Sequence, residues 1–320
     1  MKLTRIIIIT ALAAAPILPA MAQEGSSETA ALPFLNNSGN SRSLAMGGLV
    51  SVLEAGAYSH FGNTAAVPFS DNTFSAAFSY GSWQPSSAKE NIFSLGAMWN
   101  INDRFGVTFA ALTQSGQKYD TINEAGVPTG SFTPNDLRIG AGFSYRFIDN
   151  MSVGIGLNYA QSSLAPKSEL YKTVFSTFSA DIQLLYTISD FKISLEADNL
   201  GIPVKSASGM KSSLPMNARL GGGYDNDFGK HHLSAGIEGG VFFGGPSTGF
   251  ASAGAEYMYD NLVAVRAGYH YGSEKNGIPS FASVGLGFRF FGVNIDAAYL
   301  VAGNDSPMKN TFSIGIGYSF

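Results

Sequence analysis

From about residue 73 to the last residue, apolar side chains alternate with small or polar ones at a period of two. In the final stretch Phe312, Ile314, Ile316, Tyr318 and Phe320 share one face, and Ser313, Gly315, Gly317 and Ser319 share the other. The stretch 281–290 sets Ala282, Val284, Leu286, Phe288 and Phe290 against Ser283, Gly285, Gly287 and Arg289. Over 136–147, Leu137, Ile139, Ala141, Phe143, Tyr145 and Phe147 oppose Arg138, Gly140, Gly142, Ser144 and Arg146. Successive side chains of a strand point to opposite faces, so each run reads as a strand with one apolar side. The pattern predicts fourteen of them, at 73–83, 91–100, 105–114, 136–147, 151–164, 171–187, 191–200, 216–224, 231–242, 249–258, 262–272, 281–290, 293–302 and 311–320.

The connections carry an independent signal. Those at 101–104, 148–150, 188–190, 225–230, 259–261 and 291–292 are short, and most hold Asn-Asp or Asp-Asn turn chemistry. The intervening ones are generally longer, notably 115–135 and 201–215. Short periplasmic turns alternating with longer external loops are the habit of outer-membrane barrels. The expected fold is therefore an all-β transmembrane antiparallel β-barrel of about 14 strands. An even count returns the C-terminus to the side where the first strand begins.

Composition narrows the alternatives. No later stretch reaches 18 consecutive apolar residues, which excludes a helical membrane protein. Only 13% of residues are charged, while 38 Gly, 24 Phe and 14 Tyr are present. A formal charge of −4 gives no basic footprint for nucleic acid. A soluble β-sandwich or lipocalin-like barrel would place charges opposite the small residues. Here the strand charges share the Gly/Ser face: Arg138, Arg146, Lys192, Arg219, Arg266 and Arg289, with Asp181, Glu196, Asp198, Glu238, Glu256 and Asp296. Parity alone does not say which face is inside; an export signal and the C-terminal Phe320 assign the lumen to the Gly/Ser face. A pore selective for one ion sign would carry an excess of the opposite charge. Equal numbers favour cross-strand pairs that stiffen the lumen, with a polar solute path as the alternative. Rings near strand ends, such as Tyr145, Phe147, Tyr257, Tyr269, Tyr271 and Phe320, point outward and suit a membrane interface.

Residues 1–22 read as a signal peptide, with Lys2 and Arg5, an apolar run over 6–18, and Ala20-Met21-Ala22 before cleavage near Ala22-Gln23. The expected location is the Gram-negative outer membrane. Residues 23–72 form a leader and a periplasmic plug-like segment, folded into or beneath the periplasmic mouth, and 73–320 form the barrel. A short helical turn is predicted near Asn63, whose side chain suits an N-cap.

The Arg42-x-x-x-Met46-Gly47-Gly48 segment, the Asn63-x-Ala65 box and a fourteen-strand barrel together resemble the FadL-like superfamily. Three stretches sharpen the likeness toward the PorV/PorQ family of type IX secretion in Bacteroidota: 123–136 (Asn-Glu-Ala-Gly-Val-Pro-Thr-Gly-Ser-Phe-Thr-Pro-Asn-Asp), 214–221 (Leu-Pro-Met-Asn-Ala-Arg-Leu-Gly) and 257–269 (Tyr-Met-Tyr-Asp-Asn-Leu-Val-Ala-Val-Arg-Ala-Gly-Tyr). The chain departs at Thr64, where the family pattern has Pro, and at Glu54-Ala55, where many relatives carry Asp. The resemblance implies a non-enzymatic secretion component that binds the C-terminal signals of cargo and passes them to surface attachment machinery. Its implied partners are outer-membrane lipids, secreted cargo proteins and other secretion-system subunits, with a barrel that closes as a monomer. The wider superfamily implies an alternative, transport of hydrophobic small molecules, which needs an apolar pocket, a lateral opening and a movable N-terminal plug. The Gly/Ser-rich lumen face offers no continuous apolar lining and counts against that alternative.

The sequence nominates no catalytic, cofactor-binding or metal-ligating residue, and no cofactor. Its four histidines are His60, His231, His232 and His270, with no His-x-x-His or His-x-x-x-His spacing. His231 and His232 flank a predicted turn and read as solvated. His270 points to the lumen near the external rim, where a hydrolase would need a Ser and an acid beside it. The Gly221-Gly222-Gly223 run lies within a strand with no helix after it, so it is not a phosphate loop. With no Cys, there is no lipid-modified cysteine, disulfide or thiolate metal site.

Overall fold

A computed structural model describes residues 30–123, 126–166, 173–205, 209, 211–243 and 247–320. The expected signal peptide and residues 23–29 lie outside them. The chain forms β1 (Phe74–Trp83), β2 (Glu90–Asn102), β3 (Phe105–Ser115), β4 (Tyr119–Ile122), β5 (Pro128–Phe132), β6 (Asn135–Ile148), β7 (Met151–Ser163), β8 (Val174–Ile188), β9 (Phe191–Gly201), β10 (Val204–Lys205), β11 (Lys211–Ser212), β12 (Asn217–Phe228), β13 (His231–Phe242), β14 (Thr248–Tyr259), β15 (Val263–Tyr271), β16 (Phe281–Phe290), β17 (Val293–Val301) and β18 (Phe312–Ser319). Fourteen of these close into one antiparallel barrel, sealed where β1 pairs with β18. The pairs β4–β5 and β10–β11 are separate two-stranded sheets in the longer loops.

Alternation decides which way each strand faces. Leu157, Phe178, Ile237, Leu286 and Ile314 are each half exposed or more, and they belong to an apolar band around the outside. Such a surface would be untenable in water but suits lipid. Ser79, Thr108, Ser144, Ser152, Ser194 and Ser283 are buried on the inner face.

Two boundaries differ from the sequence reading by more than two residues. β12 runs to Phe228 rather than 224, because Asp225, Asn226 and Asp227 pair with Ser234, Leu233 and His232 in a longer ladder. The turn is then only Gly229 and Lys230, and Gly229 takes the left-handed φ of +68° that glycine tolerates. β8 starts at Val174, and residues 171–172 lie outside the described residues.

The segment before β1 fills much of the barrel. Its leader part lies near the long-loop end, where Ala31 N donates to Ser213 O at 2.8 Å. Phe34 and Leu35 bury against Ile92, Leu112 and Leu214. A helical turn at Ser41–Ala45 is capped by Asn40, whose side chain accepts from the Arg42 and Ser43 amides. The chain descends through Gly47 and Gly48, reaches Thr64–Phe69 and joins β1 at the short-turn end. Asn63 accepts from Ala65 N at 2.9 Å, as an N-cap should. The small inner face is what admits so much chain. A Cβ placed on Gly268 would lie 2.1 Å from Gly47 N, and one on Gly140 would lie 2.0 Å from His60 Nε2. The Gly/Ser-rich lumen face is thus the seat of this N-terminal hatch.

Candidate functional site

The hatch divides the lumen into two chambers, and Ser38, Asn40, Val50 and Gly62 line both. The upper chamber, toward the long loops, has a volume of about 740 Å³. Its wall carries Trp83, Ile92, Phe242, Phe250 and Phe281, and the hatch contributes Phe34 and Leu35. The sequence reading missed this apolar lining for a definable reason. Strand parity only sorts strand side chains into two faces, whereas much of the lining comes from strand ends and from the hatch.

The floor of the upper chamber is polar but paired. Arg138 is buried, donating to Asn158 Oδ1 at 2.9 Å and Leu35 O at 3.0 Å, with Asp181 at 3.3 Å. Its guanidinium lies 4.6 Å from the Phe61 ring centroid, near enough for cation–π attraction. Arg219 faces three carboxylates, Asp198 and Glu238 at 3.3 Å and Glu196 at 3.6 Å. The inner charges of the sequence pattern thus meet across strands. Arg146 instead stacks over the hatch residue Phe69.

A second network ties hatch to wall. Arg42 reaches Glu256 at 2.7 Å and Glu54 at 3.1 Å. Glu256 also pairs with Arg266, which holds Asp296 at 2.7 Å. Glu238 Oε2 accepts from the Val50 and Ser51 amides at 3.1 and 3.0 Å. Burial opposes the charged form of Glu54, but Arg42, then Arg289 and Lys192, outweigh it and hold its carboxyl below the usual carboxylate range.

The histidines separate into different roles. His270 stacks between Phe250 and Phe281 in the upper chamber, its Nδ1 2.9 Å from Ser252 Oγ. Among the described residues no carboxylate is hydrogen-bonded to its ring, so Ser252 and His270 form a polar spot rather than a triad. His60 lies in the hatch, with Nδ1 3.2 Å from Thr108 Oγ1 and Nε2 3.0 Å from Asn158 Oδ1. Burial first, and Arg138 second, push its pKa down to about 4. His231 is exposed and meets Tyr257 Oη at 2.7 Å. His232, read as solvated from the sequence, is buried, because the longer β12–β13 ladder turns it inward. The Gly221-Gly222-Gly223 run makes room for the hatch: a Cβ on Gly221 would sit 2.1 Å from Ser51 Oγ.

The lower chamber, about 790 Å³, is of another character. Six carboxylates face it, against the basic side chains of Arg42, Lys192 and Arg289.

No known family model matches this chain, and no curated protein sequence matches it. Its fold does have solved counterparts. The Ralstonia pickettii toluene transporter TbuX superposes with a TM-score of 0.60 at 14% identity, covering 88% of this chain and 97% of its own. The Pseudomonas putida toluene transporter TodX gives 0.57 at 16% identity over 88% and 96%. A Pseudomonas aeruginosa FadL homologue gives 0.50 at 13% identity over 93% and 100%. At such low identity the likeness establishes the fold alone, a closed fourteen-strand barrel of the kind these solved structures share.

Proposed function

We propose that this barrel binds a small, largely apolar molecule in its upper chamber and passes it inward past the hatch. The observation that carries the reading is the chamber itself. Its volume of about 740 Å³ lies in the usual range for small-molecule sites, roughly 300–1,000 Å³. Rings and aliphatic side chains such as Phe34, Leu35, Trp83, Phe250 and Phe281 share its wall with polar and charged ones, among them Arg138, Asp181, Arg219, Glu238, Ser252 and His270. That mixture is how ligand pockets combine apolar affinity with orientation. The long-loop end faces outward in barrels of this kind, so the chamber is the first compartment an external solute meets. The structural neighbours TbuX and TodX are toluene transporters, and a monoaromatic hydrocarbon suits the rings of Phe250 and Phe281. The test is uptake of radiolabelled toluene by cells with and without the protein. A deletion strain should lose most of the protein-dependent uptake at low solute concentration, and unchanged uptake would remove the reading.

The resemblance to PorV/PorQ proteins supports a second reading, cargo binding in type IX secretion. Its basis is the sequence of the stretches 123–136, 214–221 and 257–269. Only the first two belong to the long-loop side, whereas 257–269 spans the β14–β15 turn at the other end. Surface proteomics of the same deletion strain separates the two. Loss of signal-bearing cargo from the surface with normal solute uptake would favour secretion.

A further inference from the structure

We propose that Glu54, Asp225 and His232 bind one divalent metal ion of the zinc class in the lower chamber, fastening the hatch to the barrel wall. The three residues come from three elements: Glu54 from the hatch, Asp225 near the end of β12, His232 at the start of β13. One potential ligand atom from each lies within 4.8 Å of the other two. No local spacing in the sequence could reveal this set, since 171 residues separate Glu54 from Asp225.

The histidine carries the argument. His232 is 9% exposed, and its Nδ1 lies 2.9 Å from Asp227 Oδ1. An ionised carboxylate only accepts, so Nδ1 carries a proton, and in the neutral imidazole Nε2 is then the lone-pair nitrogen. That Nε2 is buried without a hydrogen-bond partner, 3.5 Å from Asp225 Oδ1, and Asp225 Oδ2 accepts no hydrogen bond, with Lys192 Nζ 3.5 Å away. A buried acceptor nitrogen facing two carboxylates is poorly satisfied by protein alone. A carboxylate on the far ring nitrogen is the outer-shell arrangement that orients metal-ligating histidines. One imidazole and two carboxylates, with a fourth position open to water, is a donor set that zinc accepts.

Electrostatics permits the ion despite nearby cations. Lys192 Nζ is 3.5 Å from Asp225, and Arg42 and Arg289 lie 3.1 and 3.9 Å from Glu54. Arg42 retains Glu256 at 2.7 Å when Glu54 turns away, so it is not left as an unpaired buried charge. Of the six carboxylates facing the chamber, Asp296 and Asp260 are held by Arg266 and Lys230, which leaves four against Arg42, Lys192 and Arg289. Zinc bonds of about 2.0–2.2 Å require the donors to draw together by roughly an ångström. Glu54, whose side chain is 33% exposed, is the member with freedom to move.

The experiment is calorimetric titration of the chelator-stripped full chain in detergent micelles with zinc chloride alone. Folding of every variant is verified by heat-dependent gel mobility. The wild type should bind one zinc per chain. His232→Ala, Asp225→Asn and Glu54→Gln should each weaken it at least tenfold, and Asp227→Asn about tenfold through the ring orientation. His231→Ala removes the neighbouring exposed histidine and should change nothing. Absence of stoichiometric binding would overturn the proposal. So would binding that survives both His232→Ala and Asp225→Asn, or that falls with His231→Ala. Equal affinity for magnesium and zinc, insensitive to His232, would show a carboxylate-only site and overturn it as well.

Discussion

The two chambers share one tube, one alternation and one hatch, yet the balance of their linings differs. The upper sets Trp83, Ile92, Phe250, Phe281 and the hatch residues Phe34 and Leu35 above a floor of paired charges, Arg138 and Arg219 with Asp181, Asp198 and Glu238. The lower collects six carboxylates with Arg42, Lys192 and Arg289. A uniform lumen would have served a pore for one class of solute. On the function proposed above, the hatch is a floor for an apolar ligand on one side and an electrostatic anchorage on the other. Its attachment should therefore depend on charge far more than on apolar contact.

The largest effect should follow from removing the central anchor. Glu256 is fully buried between Arg42 of the hatch and Arg266 of the wall. Glu256→Ala would leave two buried guanidinium groups short of a partner, a loss on the order of 3–5 kcal/mol. Urea unfolding of the refolded barrel measures it. A loss below about 1 kcal/mol would show that the hatch is held mainly by backbone contacts and would undo the contrast between the chambers.

Next comes a pH dependence located in the partition. His60 has a folded-state pKa of about 4 against an ordinary 6.5, and Arg138 and Asp181 are the charged groups near it. As pH falls, the unfolded chain takes up the proton first. Stability is therefore complete above about 6.5, declines between 6.5 and 4, and is level below that. The drop from 6.5 to about 4 corresponds to roughly 3 kcal/mol. His60→Gln, which can still bond Thr108 and Asn158, should flatten the profile in that window. An unchanged slope would assign the pH response to other groups.

What the sequence made legible follows the same division. The outward faces, the fourteen strands and the inward charges are all properties of period-two alternation, and the barrel displays them. Asn63 was legible as a cap because capping is local. Asp225 to Asp227 looked like a turn, since these residue types favour turns in isolation, but ladder pairing with Leu233 and His232 overrides that preference. His232 changed from solvated to buried for the same reason. The apolar upper chamber was hidden because Phe34 and Leu35 reach it from a segment 40 or more residues before the wall they face in β2 to β18. Long-range placement of the hatch is a tertiary fact with no periodic signature.

A smaller effect should mark the upper chamber alone. Phe250 packs 4.8 Å from Phe242 by ring centroids and lies under Arg219 at 5.4 Å. Phe250→Ala should lower affinity for a fluorescent monoaromatic probe about tenfold, which is close to 1.4 kcal/mol. Zinc affinity in the lower chamber should stay as in the wild type. If both fall together, the hatch transmits disturbance and the chambers are not independent.

The smallest effect tests whether burial, rather than ion pairing itself, gives the lower chamber its strength. Lys230 and Asp260 meet at 2.8 Å on the short-turn rim, with side chains 63% and 48% exposed. Arg266 and Asp296 meet at nearly the same distance, 2.7 Å, but with 1% and 25% exposure. Equal separation would predict equal energies if geometry alone decided. Water and salt screen the rim pair, and holding two flexible side chains in register offsets its attraction. Lys230→Ala should therefore change unfolding free energy by no more than about 0.5 kcal/mol, and less still in high salt. Asp296→Ala should cost several times more, because Arg266, itself only 1% exposed, keeps Glu256 but loses its second carboxylate. If the two variants cost the same, exposure does not set the strength of these pairs, and the anchoring role assigned to the buried network would have no energetic basis.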